Sequence, residues 1–260
     1  MGLLLEARRN LNDVRHFGPR FLLRHFKRLS GGNLTRVTIP DVGSVFIRPA
    51  QSDLSAFRQV FAYREYDLGE FVPAAGRVQG RYRSILASGR TPVVIDAGAN
   101  VGAASLWFGS QFPDAAIVAI EPEPGNLEVL RLNAEGKPQV SVLAAAIGSQ
   151  PGFVDVDSNG LGWAAQTRRS DKGTAVVTVN DAVKTVADGE LFIVKVDIEG
   201  FERDLFSTNI DWLDDAFMVI IEPHDWMLPG QRSSGPFQKA MGSRDFELFI
   251  SGENLIYVRL

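Results

Sequence analysis

From residue 93 the chain alternates short, nearly continuous apolar runs with stretches of helical spacing. The runs are VVIDAG (93–98), AAIVAIEP (115–122), VSVLAAAIGS (140–149), AVVTV (175–179), LFIVKVDIEG (191–200) and FMVIIEPH (217–224). Runs this short and this apolar predict strands buried on both faces. Between them, VGAASLWFGSQF (101–112), GNLEVLRLNAEG (125–136), DAVKTVA (181–187) and ERDLFSTN (202–209) predict helices. Repeated βα units imply an α/β fold: a parallel sheet with helices on both faces. Its ligand site is expected at the carboxyl edges of the strands, where the strand order reverses. FELFISGENLIYVRL (246–260) predicts a closing hairpin around Gly252-Glu253-Asn254, with an antiparallel strand at or near one sheet edge.

Upstream, LTRVTIP and SVFIRPA predict a β-hairpin around Asp41-Val42-Gly43. DLSAFRQVFAYREYDLG (53–69) predicts a helix, with Asp53 near its start and Gly69 beyond its end. The expected division is an N-terminal segment, 1–52, and a main domain, 53–260. Within the first 30 residues, nine Arg, Lys and His interleave with Leu and Phe, and Gly18-Pro19 splits the segment into two short helical pieces. Such a segment suits an anionic substrate, a partner or a membrane surface; equally, it suits two helices packed on the domain with solvated charges.

Each predicted central strand ends on polar residues: Asp96, Glu121, then Asp197 and Glu199, then Glu222 and His224. Acids delivered to one edge of a parallel sheet make a candidate site. The first strand runs into Asp96-Ala97-Gly98-Ala99-Asn100-Val101-Gly102, a turn of small residues that opens a helix. Gly98 and Gly102 permit tight backbone angles and close ligand approach. A dinucleotide loop would carry G-x-G-x-x-G, and Asn100 in place of the middle glycine fits that poorly. Asp96 would repel a pyrophosphate and suit an ammonium, and Glu121 is placed to accept hydrogen bonds from ribose hydroxyls. Adenosine plus an ammonium without phosphate describes S-adenosylmethionine. A tight βα turn with helix-capping acids is the structural alternative.

Composition narrows the rest. The 260 residues carry a net charge of −4, so no global basic bias points to nucleic acid. There is no Cys and there are three His, which excludes a disulfide scaffold and Cys-ligated zinc and is compatible with a reducing cytoplasm. No apolar run reaches the length of a membrane span, and Glu6, Arg8 and Arg9 interrupt any signal-peptide core. A cytoplasmic location is therefore expected.

VVIDAGANVGAAS, AIEPEPGNLEVLRLN, AAAIGS, FIVKVDIEGFE and IIEPH, in this order, resemble the FkbM family of S-adenosylmethionine-dependent methyltransferases. The resemblance spans about residues 55–260. Its most characteristic stretch is Lys195-Val196-Asp197-Ile198-Glu199-Gly200-Phe201-Glu202, and FAYREYDLG (61–69) resembles the family's segment ahead of the first motif. The family often has T-L-D-D where this chain has Thr178-Val179-Asn180-Asp181, which leaves the role of that loop open. The resemblance implies a Rossmann-like seven-stranded sheet with a reversed last strand pair, and usually O-methylation of sugars or natural-product hydroxyls. It implies that Asp96, Gly98, Asn100 and Gly102 hold the methionine part of the cofactor. Glu121, with Pro122 beside it, would hold the ribose, and Ala146 and Ile147 the adenine. Tyr66 would be a lid over the amino-acid end.

A hydroxyl acceptor needs help to lose its proton. Asp197, Glu199, Glu222 and His224 are the candidates, His224 as general base because an unperturbed imidazole titrates near pH ~6.5. Alternatively, Asp197 and Glu222 would hold Mg²⁺ against the acceptor oxygen. Lys195 shares a strand face with Asp197 and would neutralise it or orient it with Glu222. Glu202 reads as a first-turn acid favoured by the helix dipole. The stretches 157–169, with Trp163, Arg168 and Arg169, and 224–235, with Trp226, read as loops that cover a small-molecule acceptor: a sugar, a glycolipid or a natural product. The competing readings are an NAD(P)-dependent oxidoreductase on a similar sheet and a non-catalytic cofactor-binding module.

Overall fold

The computed structural model describes residues 34–49, 51–157 and 166–260. The basic segment 1–33 and Trp163 lie outside the described residues. Seven strands form the main sheet: β3 (Thr91–Ala97), β4 (Ala116–Glu121), β5 (Val140–Ala144), β10 (Gly189–Val196), β11 (Met218–Ile221), β12 (Phe246–Ser251) and β13 (Asn254–Arg259). Their order is β12-β13-β11-β10-β3-β4-β5. All neighbours are parallel except β13, which runs antiparallel to both β11 and β12. The reversed strand thus lies one place in from the edge. The Rossmann-like order turns between β10 and β3, so the crevice expected of such sheets falls at the carboxyl ends of those two strands.

Strand alternation divides the core. Val94, Ile117, Phe192 and Ile220 face one side, where they meet α2 (Val72–Ala87) and α3 (Ala103–Gln111) through Tyr82, Ile85 and Phe108. Val93, Ile95, Val118, Val194 and Val219 face the other. There they meet α5 (Val179–Lys184), α6 (Glu202–Leu205), α7 (Trp212–Asp215) and α8 (Gly235–Met241). α4 (Pro124–Ala134) covers β4 and β5 through Leu127 and Leu130. The hairpin β1 (Thr35–Ile39) and β2 (Gly43–Ile47) buries Val37, Ile39, Val45 and Ile47 in the first cluster.

Several elements differ from the periodicity reading. The helix expected over 53–69 is α1 (Asp53–Phe57) running into a π-helical turn, Arg58–Ala62, after which Arg64 turns left-handed at φ 56°. α2 was not legible, since Pro73, two glycines and three arginines dilute its apolar face. The run 140–149 is two strands, because the chain bends at Ala145: β5 ends in the main sheet and β6 (Ala146–Ile147) enters a second one. That four-stranded sheet adds β7 (Gly152–Asp157), β8 (Gln166–Ser170) and β9 (Thr174–Val177), so part of the expected loop 157–169 is strand. The strand expected over 175–179 stops at Val177. Thr178 and Asp181, the two positions shared with T-L-D-D, instead form a reciprocal capping box at the start of α5, which gives that stretch a structural role.

Asp53 does not cap its own helix. Fully buried, its carboxylate accepts from the Arg48 backbone N–H at 2.7 Å and from the Arg48 guanidinium at 2.8 and 3.0 Å. Arg48 continues to Asn126 Oδ1 at 2.6 Å, tying the hairpin to α4. Arg48→Met strands a buried carboxylate, so we expect a loss of roughly 2–4 kcal/mol in urea unfolding, discounted because Arg48 is partly exposed. Arg48→Met with Asp53→Leu is expected to recover most of it.

Candidate functional site

The carboxyl ends of β3, β10 and β11 converge on one cleft, and a buried lysine joins them. Lys195 sits opposite Asp96 in the strand register. Its Nζ lies 3.2 Å from Asp96 Oδ1 and 3.5 Å from Asp197 Oδ2, and it donates to the Gly98 carbonyl at 2.8 Å. Burial alone would lower the Lys195 pKa, but Asp96 and Asp197 outweigh it and hold the ammonium charged well above its usual range. Asp96 is wholly buried, and its Oδ2 accepts from Ser105 at 2.5 Å. A ligand ammonium was expected beside Asp96; the structure places Ser105 on its Oδ2 and the Lys195 ammonium beside its Oδ1, which has no hydrogen-bond partner.

The glycine loop owes its shape to neighbouring backbone as much as to any ligand. Gly98 has φ 74°, and a Cβ there would lie 1.7 Å from the Asp197 carbonyl oxygen. At Gly102, φ 89°, a Cβ would meet Leu130 of α4 at 2.7 Å. Asn100 is left-handed at φ 51°, and its N–H donates to Glu121 Oε2 at 2.8 Å. Glu121 Oε1 accepts from the Glu123 N–H at 3.0 Å and from Asn126. Burial raises the Glu121 pKa, and these donors pull it back. The side-chain Oδ1 of Asn100 is buried without a partner.

Two cavities meet at Gly98. The larger, about 290 Å³, is lined by Tyr66, Asn100, Lys195, Asp197, Glu222 and His224. The smaller is an apolar slot between Pro122, Ala146, Ile147, Ile198 and Phe201. The second sheet supports the slot: Arg169 of β8 pairs with Asp204 of α6 at 2.7 Å, and Asp204 accepts from the Ser149 N–H. Arg169, in a stretch that read as a covering loop, is thus a strut. Tyr66, expected as a lid, is buried in the cleft wall, stacked on Phe108 at 5.8 Å and edge-on to Trp107 at 6.0 Å. Trp226 is 66% exposed at the cleft mouth. A hollow of about 620 Å³ at the opposite end of β10 holds Glu190, which Arg81 and Arg90 already pair.

His224 is 1% exposed. Its Nδ1 lies 2.6 Å from Glu202 Oε1, while its Nε2 lies 3.6 Å from Asp197 Oδ1 and 3.7 Å from both Glu199 Oε2 and Glu222 Oε1. Burial alone would lower the imidazole pKa; the Glu202 hydrogen bond and the charge of Asp197 overcome it and raise the pKa to about 9. In the ion-free cleft this shift favours the protonated imidazole. Burial, then repulsion from Asp197, raises Glu199 to about 8 and Glu222 to about 7. The donors brought within 4.8 Å of one another are Asp197, Glu199 and His224, so Glu199 and His224 enter the set where Glu222 was expected beside Asp197.

Glu202 was not identified as a site residue. Its place in a helical first turn made it read as a dipole acid, yet it is fully buried and orients His224. The available signal was His224 itself, which needs a partner for Nδ1 when it ends a buried strand. Ser105 and Asn126, one turn or less into their helices, escaped for the same reason.

Folded-state pKa values raised above the ordinary 4.5 mean that the native cleft holds protons the unfolded chain has released. That stability is complete below about pH 4.5 and is lost as pH rises through about 7 and 8; raised His224 adds the same sign up to about 9. We expect the urea midpoint of chelator-treated protein to fall steadily from pH 5 to pH 9, and Glu199→Gln to flatten the fall. A midpoint that rises across this range contradicts the reading.

A family model, the methyltransferase FkbM domain, matches residues 96–247. A search of the curated proteins finds no match. Among solved structures, precorrin-6y C5,15-methyltransferase from Geobacter metallireducens is 11% identical, with 66% of this chain and 81% of that one covered and a TM-score of 0.38. The SAH-bound Podospora anserina methyltransferase PaMTH1 is 13% identical, with 70% and 77% covered and a TM-score of 0.41. The bifunctional kinase-methyltransferase WbdD is 16% identical over 78% of this chain and only 41% of that one, with a TM-score of 0.40. The family model spans more than half of the sequence, from the acid before the glycine loop into the closing hairpin: the chain belongs to the family of the methyltransferase FkbM domain.

Proposed function

We propose that this protein is an S-adenosylmethionine-dependent methyltransferase that methylates a hydroxyl of a small molecule, a sugar, glycolipid or natural product. One observation carries the cofactor reading. The buried, unpartnered Asn100 Oδ1 belongs to the loop where the polar cleft and the apolar slot meet. An acceptor buried without a partner is costly, and a ligand ammonium at this place satisfies it. The slot between Pro122, Ile147 and Phe201 suits a flat base. Glu121 holds the loop from behind; its Oε1 already accepts two hydrogen bonds, whereas Oε2 accepts one and keeps a lone pair for a ribose hydroxyl.

When bound, the cofactor supplies a methyl group on a cationic sulfur, which an acceptor oxygen displaces in line. The protein's part is alignment and proton removal. Lys195 fixes Asp197 at the cleft floor, and Asp197 or Glu222 takes the hydroxyl proton as the new carbon–oxygen bond forms. Glu222, with a pKa of about 7, is poised to accept a proton near neutral pH. His224, protonated beside them in the ion-free cleft, offsets part of the repulsion between the carboxylates. Trp226 offers an exposed face on which a sugar ring can stack. Among the described residues no helix is long and apolar enough to cross a membrane.

Isothermal titration tests the cofactor. S-adenosylmethionine is expected to bind one to one and NADH not at all. Asn100→Gly keeps the left-handed backbone and the N–H to Glu121 while removing the amide. Loss of one hydrogen bond to a charged group should weaken binding about tenfold. Binding of NADH in place of S-adenosylmethionine would overturn the proposal.

A further inference from the structure

Five carboxylates, those of Asp96, Asp197, Glu199, Glu222 and Glu202, converge on one lysine and one histidine. Lys195 answers for Asp96 and one oxygen of Asp197. The other four acids surround a single imidazole, and that imidazole is built asymmetrically. Its Nδ1 side is closed by a 2.6 Å hydrogen bond to buried Glu202. On its Nε2 side, three oxygens stand at 3.6–3.7 Å, and none is within hydrogen-bonding distance.

Those distances fit another arrangement. Two ligand atoms about 2.1 Å from a shared ion lie roughly 3.0 Å apart at right angles and roughly 3.4–3.6 Å apart at 110–120°, so a small inward movement brings these groups onto one ion. A histidine that donates one ring nitrogen to a buried carboxylate and turns the other toward acids has the form of a metal ligand with its outer partner in place. Glu199 contributes a further sign. It is a non-glycine residue at φ 51°, a conformation that costs free energy and persists where the surroundings demand it, and it brings the carboxylate into this group.

We propose that His224 Nε2, Asp197 and Glu199 bind a divalent first-row metal ion, with Glu202 as the residue that orients the imidazole. One imidazole among carboxylates suits Mn²⁺ better than an all-oxygen ion such as Ca²⁺. Glu222 stands at the rim of the set. The site lies at the proposed methyl-transfer centre, where an ion would lower the pKa of an acceptor hydroxyl. What the ion does rests on that reading; that it binds does not.

The test uses the full chain, free of any histidine tag, in imidazole-free buffer at pH 7.5, with Mn²⁺ as the probe. Titration followed by electron paramagnetic resonance should show the free six-line signal suppressed with one-to-one stoichiometry. Pulsed spectra of the bound ion should show coupling to an imidazole nitrogen. His224→Gln should abolish that coupling and weaken binding at least tenfold, and Glu202→Gln should weaken it roughly 10–100-fold. An undiminished free signal at millimolar Mn²⁺, or bound Mn²⁺ without nitrogen coupling, overturns the proposal even if the variants do not fold. A parallel titration of S-adenosylmethionine in excess chelator separates the two readings. Cofactor binding with no Mn²⁺ site removes the ion alone, and an Mn²⁺ site without cofactor binding removes the methyl-donor reading alone.

Discussion

The buried ammonium of Lys195 is the interaction on which the rest of the site depends. It lies where the strand order turns, between β3 and β10, and ties Asp96 of one strand to Asp197 beyond the end of the other. Its contact with the Gly98 carbonyl carries the same tie into the glycine loop. Without it, two acids would share a dry crevice unpaired, at a cost of several kcal/mol. With it, charge alternates along a line of side chains: Asp96, Lys195, Asp197, His224, Glu202. Ser105 closes one end of that line and the Gly200 N–H the other.

This arrangement explains why so many titrations are displaced within one cleft. Burial, and then repulsion from neighbouring carboxylates, raises the pKa values of Glu199 and Glu222 toward neutrality. Structural ion pairs have no need of such an excess of negative charge. A site that must take a proton, or hold a cation, does. The backbone accommodates that excess with Gly98, where a Cβ would clash with the Asp197 carbonyl, and with Glu199 left-handed.

Much of this was legible before any coordinates. Continuous apolar runs ending on acids marked β3, β4, β10 and β11, because strands buried on both faces leave little other pattern. The D-x-G-x-N-x-G loop and the Lys195–Glu202 stretch marked where the chemistry lies. The second sheet was not legible: β7 and β8 are short, with only Val154 fully buried among the described side chains of β7 and the polar run QTRRS in β8. Nor could spacing show which acids face outward. Asp96 and Glu202 look like exposed strand-end and helix-start acids, and only packing reveals that both are fully buried. His224 suffered the same limit, since the carboxylates around it come from the ends of two strands and from a helix.

The affinity of the Lys195→Met variant for S-adenosylmethionine, measured by titration on protein shown to be folded by circular dichroism, tests the account most directly. If Lys195 organises the glycine loop and the strand-end acids together, removing its charge should weaken cofactor binding at least about tenfold, the loss of a buried charged hydrogen bond. A folded Lys195→Met protein that binds the cofactor as tightly as the wild type would contradict it.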